Sequence, residues 1–103
     1  MVSGARGPGG GGAKLRAMRM FLQQPPATGA PSKFCQLTLQ ADLLGGFTLL
    51  RESGEIGGRS QVRRSVHTDR DSAIAAFEAA RDRELQRGLR ITFAEGAQPP
   101  QAA

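Results

Sequence analysis

Phe34-Cys35-Gln36-Leu37-Thr38-Leu39-Gln40 decides how the rest of the chain is read. Cys35, Leu37 and Leu39 point one way and Gln36, Thr38 and Gln40 the other, the period-2 pattern of a half-buried strand. Gly45-Gly46 then signals a turn, and Phe47-Thr48-Leu49-Leu50-Arg51 reads as a second strand. After the glycines at 54, 57 and 58, Gln61 to His67 alternates again, with Val62, Arg64 and Val66 on one face. Three short strands joined by glycine turns make an antiparallel meander.

Beyond His67 the period changes to 3.6. Thr68 and Asp71 have the spacing of a capping box, and the helix is expected to run to about Arg87. Ala73, Ile74, Phe77, Ala80 and Leu85 supply its buried stripe. Asp69 and Asp71 suit the positive end of the helix dipole; Arg81, Arg83 and Arg87 suit the negative end. Asp82 and Glu84 read as charges on a solvated face. Gly88 fits the position after a helix, and Leu89 to Phe93 reads as a last strand, with Leu89, Ile91 and Phe93 on one side.

The expected fold is α+β: a small antiparallel sheet of about four strands with one helix packed on one face, spanning 34–93. The segment 94–103 reads as a disordered tail. Residues 1–33 read as a mostly disordered basic leader, because seven of the 14 glycines and four of the six prolines lie there. Within it, Met18 to Gln24 is apolar enough to add a short edge strand. Met18 and Met20 are both credible translation starts.

The chain has 103 residues and a formal charge of +5. All of that excess sits in 1–33, where Arg6, Lys14, Arg16, Arg19 and Lys33 meet no acid; nine arginines balance nine acids in the rest. A start at Met18 would leave +2. Twelve arginines against two lysines, with abundant Ala, Gly and Pro, match GC-rich coding. The longest apolar run, Ala73 to Phe77, is far short of the ~20 residues of a membrane span. One cysteine and one histidine make neither an internal disulfide nor a zinc site of about four ligands. These features point to a cytoplasmic protein without metal or cofactor.

Four arginines are the candidate phosphate-binding residues: Arg51, Arg59, Arg63 and Arg64. Arg51, Arg59 and Arg63 are expected to line the open sheet face, or else to pair with Glu52 and Glu55 across the hairpin. Arg64 shares a face with Val62 and Val66 and is expected to snorkel at the sheet edge. Ser65 and His67 share a face, and Asp69 is near, yet a triad also needs an oxyanion hole and a substrate cleft, which so small a meander does not offer. Cys35 reads as a buried small hydrophobe, and the phenylalanines at 34, 47, 77 and 93 read as core.

The ordered run of Phe34 to Glu52, Gly54, Gly57-Gly58-Arg59, the basic strand and the helix ending at Arg87-Gly88 resembles the WGR domain, chiefly in small bacterial proteins that are little more than that domain. Where that family carries Trp-Gly-Arg, this chain carries Ser53-Gly54-Glu55. The retained glycine suits a turn with positive φ. Leu89 also stands where an aromatic is usual. The resemblance implies a non-enzymatic module. In the family such modules accompany poly(ADP-ribose) polymerases, bind DNA ends and relay contact to neighbouring domains. Ser53 cannot stack on a nucleotide as the motif tryptophan does, and Glu55 repels phosphate. With those two changes the resemblance implies weak, sequence-independent binding of nucleic-acid (DNA) backbone, with a protein-interaction module as the alternative. No membrane or small-molecule partner is implied.

Overall fold

Five strands and one helix organise the chain in a computed structural model that describes residues 17–26 and 29–96. The strands are β1 (Ala17–Gln23), β2 (Lys33–Ala41), β3 (Phe47–Glu55), β4 (Ser60–His67) and β5 (Arg90–Glu95); the helix α1 spans Arg70–Gln86. The sheet order is β4-β3-β2-β1-β5, and every neighbouring pair is antiparallel. The fold is a small α+β unit with five strands, one more than expected. Of the expected disordered leader and the tail over 94–103, residues 1–16 and 97–103 lie outside the described residues, whereas Ala94 and Glu95 belong to β5.

The additional strand is β1, and it is not at an edge. It lies between β2 and β5, with Met20 opposite Leu37 and Leu22 opposite Cys35. Met18, Met20 and Leu22 alternate with Arg19, Phe21 and Gln23, so one side of β1 is wholly apolar. Met20 and Leu22 lose all solvent exposure. Seven residues of strict alternation outweigh the glycine-rich composition around them, because β2 pairs with β1 along its whole length and β5 from Arg19 to Gln23.

α1 packs chiefly on β2 and β3. Its Ala73, Phe77 and Ala80 close the core over Cys35, Leu37, Leu39 and Leu49. Ile74 and Leu85 pack at the margin of that core. The N-cap is Asp69, one residue later than the expected Thr68: Asp69 accepts the Ser72 N–H at 2.8 Å and the Ser72 hydroxyl at 3.0 Å. At the other end Gly88 has φ +94°, and Leu89 N–H donates to the Glu84 carbonyl at 3.1 Å while Gly88 N–H donates to Leu85 at 3.0 Å. This is a Schellman exit, with Leu89 buried as its apolar partner.

β5 departs from its expected alternation. Phe21 pairs with Phe93 but Leu22 pairs with Ile91, leaving Thr92 as an extra residue. That bulge keeps Ile91 against the core and turns Phe93 to the face away from α1, where it is half exposed. The phenylalanines are therefore divided. Phe77 is core and Phe47 packs at its margin, whereas Phe34 and Phe93 belong to the open face beside Phe21.

Gly54 also differs from expectation. Its φ is not positive. A Cβ there would press on the Arg59 carbonyl oxygen and lie 2.6 Å from Ser60 Cα, so the position needs glycine for the close approach of β3 and β4. No helix among the described residues is long and apolar enough to cross a membrane.

Candidate functional site

Antiparallel register decides which arginines meet. Arg51 on β3 stands directly opposite Leu37 on β2 and Arg63 on β4. Directly opposed residues share a face, so both arginines lie on the α1 side of the sheet, not on the open side. Alternation turns Arg64, opposite Leu50, to the open side with Val62 and Val66. That face is solvent-exposed, so Arg64 stands in water and does not snorkel out of a core. Arg59 is exposed in the turn before β4, away from the Arg51 guanidinium. Two of the four candidate arginines are thus brought together and two are not.

α1 brings the rest of the site. From Phe77, steps of three and four residues lead through Ala80 to Glu84 and Arg87, so the buried stripe ends on a carboxylate. Glu84 is almost wholly buried, contrary to its reading as a solvated charge. Arg51 Nη2 donates to Glu84 Oε2 at 2.6 Å, and Arg87 Nη1 lies 3.5 Å from the same oxygen. A buried carboxylate is tolerable only with such partners. Arg51 Nε is buried without a hydrogen-bond partner. Glu52 and Glu55 do not hold the arginines: Glu52 accepts the Ser60 hydroxyl at 2.9 Å, and among the described residues Arg59, Arg63 and Arg64 form no ion pair.

These groups line a cleft of about 480 Å³ where the end of α1 leaves the sheet. Its cations are Lys33, Arg51, Arg63, Arg83 and Arg87, against the two carboxylates Glu55 and Glu84. Ser53 and Gly54 form part of the wall. A second hollow of about 560 Å³ shares Arg51, Arg63 and Arg83 and has a floor of Leu49, Ala76, Ala79 and Ala80. It exists because alanines face β4 where a larger side chain would fill the gap. Together the two hollows form one trough, apolar at its base and rimmed by guanidinium groups.

Lys33, Arg83, Glu84 and Arg87 are not among the site residues expected from the sequence. The legible signal is Glu84 falling on the apolar stripe, which demands a cation from the sheet beneath.

Beside the cleft, Cys35 is fully buried. Burial pushes its thiol above the usual range, and the Glu84 carboxylate adds to this; the neighbouring Arg51 guanidinium only partly offsets them. A neutral thiol under a helix is packing, not a nucleophile. Ser65 Oγ and His67 Nε2 are 3.0 Å apart. Asp69 does not complete that pair: its oxygens accept from Ser72, and no hydrogen bond among the described residues joins it to His67.

Compared with protein-family models, with curated proteins and with solved structures, the chain shows no match.

Proposed function

We propose that the protein is a non-enzymatic, WGR-like binding module that holds nucleic-acid backbone phosphates, without regard to sequence, in the arginine-rimmed cleft. One observation carries the reading. Arg51 and Arg63 oppose each other directly across β3 and β4 on the same face, and only Arg51 has an acid. Like charges so placed destabilise a sheet. An anion bound between them relieves that cost, and guanidinium forks fit phosphate oxygens two at a time. The basic residues of 1–33 would add non-specific attraction, and a cytoplasmic location accords with the same reading. The alanine floor of the trough favours a second reading, an acidic amphipathic protein segment in place of nucleic acid.

Fluorescence anisotropy with blunt, nicked and single-stranded DNA at several salt concentrations tests the first reading. Affinity should be weak, with Kd of about 10⁻⁴–10⁻⁶ M, and should fall steeply with salt. Arg63→Glu should lower the salt slope by about 0.7–0.9 per lost phosphate contact. It should not unfold the protein, because a glutamate opposite Arg51 contributes about 0.2–1 kcal/mol of favourable pairing. Absence of binding at low salt, both by the whole chain and by one beginning at Met18, removes the reading. A single protein recurring in pull-downs would then favour the second.

A further inference from the structure

The opposite face of the sheet carries a feature that the cleft does not explain. Phe34 on β2, Phe21 on β1 and Phe93 on β5 form a row across three adjacent strands, on the side away from α1. Phe21 and Phe34 stack with centroids 5.6 Å apart and planes 14° apart. Phe93 stands directly opposite Phe21 and is 51% exposed. Phe93 is there because of the Thr92 bulge; without that extra residue its ring would turn toward the core. Bulges re-aim side chains at functional surfaces, and here one moves a large apolar ring from the core side to water.

The surroundings of the row specify its ligand. Gln36 stands opposite Phe21 in register, and Gln23 lies two residues further along β1. An amide offers a donor and an acceptor in one plane, which matches the edge of a base. Arg19, Phe21, Gln36 and Phe93 surround a shallow hollow of about 290 Å³. Arg19 is tied to Glu95 at 2.6 Å. Arg90, opposite Gln23, forms no ion pair among the described residues. Arginines therefore flank the rings where a backbone would run. A second copy of this chain fits less well. The rings are bordered by Arg19, Arg90, Gln23 and Gln36, whose polar groups a second copy of the same patch would have to bury.

We infer that Phe34, Phe21 and Phe93 form a stacking platform for the unpaired bases of single-stranded nucleic acid, with Gln36 and Gln23 at the base edges. Flat sheet faces with exposed rings bind single strands this way, because every base has a π-face and the strand is free to splay. The platform lies across the sheet from the arginine cleft and does not depend on it.

The test compares two labelled strands of about 12 units, oligothymidylate and an abasic oligomer with the same phosphates, against the whole chain. Oligothymidylate should bind tighter by about tenfold or more. Phe93→Ala should remove most of that preference and leave abasic affinity unchanged; Phe93→Tyr, which keeps a ring, should retain it. Arg63→Glu should weaken the abasic strand and leave oligothymidylate on the platform, so that the preference rises. Since the chain has no Tyr or Trp, the aromatic proton spectrum contains five Phe and one His, and oligothymidylate should shift ring signals that Phe93→Ala removes. Equal binding of the two strands overturns the platform while leaving the cleft intact. Preference for oligothymidylate with no abasic binding does the reverse. Binding of neither strand overturns both, and a dimer that Phe93→Ala dissociates shows that a second copy covers the face.

Discussion

β1 and β4 obey the same period-2 rule with opposite results. β1 rises from the glycine-rich third of the chain, and its Met20 and Leu22 are sealed from solvent. β4 alternates as well, yet Val62 and Val66 are more than half exposed and no residue of the strand is buried. The difference lies in the order of the sheet and in which of its faces the helix covers. β1 has strands on both sides and turns Met18, Met20 and Leu22 into the core; β4 is an edge whose Val62 and Val66 face away from α1. Alternation reports which residues share a face. It does not report whether anything covers that face. The uncovered end is where charge accumulates, and Arg63 and Arg64 also guard the free edge against pairing with another chain.

The largest effect expected from this contrast is in the core. Leu22→Ala should cost about 2–5 kcal/mol by leaving a cavity, whereas Val62→Ala should stay within about 0.5 kcal/mol. Urea denaturation of the two variants checks this, and equal losses would break the contrast. Next comes the boundary between the two ends. Glu84→Gln leaves Arg51 buried without its counter-charge and should cost about 3 kcal/mol. It should also tighten phosphate binding, since one of the two carboxylates of the cleft is lost. A variant that is destabilised and binds more weakly would mean that Glu84 is not the cleft's restraining charge. The smallest effect is at the exposed start of α1. The Ser72 N–H, and then the Ser72 hydroxyl, hold the Asp69 carboxyl below its ordinary range. Its contribution is present above the unfolded value of about 3.9 and is lost as pH falls through the lower folded-state value. Asp69→Asn keeps a capping side chain, so its acid limb of stability, followed by circular dichroism, should be flatter than the parent's.

β2, β3, β4, the helix, the Gly88 exit and the burial of Cys35 are all legible in the sequence, because each is a local pattern or a local cap. β1 is legible as a short strand over Met18 to Gln24, but its place between β2 and β5 is not, because local alternation says nothing of which strands flank it. Phe93 misleads because one inserted residue inverts alternation and nothing local announces the insertion. Thr68 and Asp69 are adjacent capping residues, and only the geometry of Ser72 decides between them. Opposed facing of Arg63 and Arg64 is readable, but which of them meets α1 depends on the pairing of β4 with Arg51. Glu84 escapes a local reading because a charge near a helix end is ordinarily solvated. Its buried partner is 33 residues away.

The first strand of this unit lies beside its last, Arg19 opposite Glu95. Antiparallel neighbours stand about 5 Å apart, so the chain enters and leaves the folded unit through one narrow doorway. A unit with that property can be spliced into a surface loop of another protein without prising the loop apart. It can equally be circularly permuted, joining 96 to 17 through a short linker and opening a new start in the exposed turn at 43–45. The turn at Leu43 and Leu44 is fully solvent-exposed, which makes it the natural place to cut.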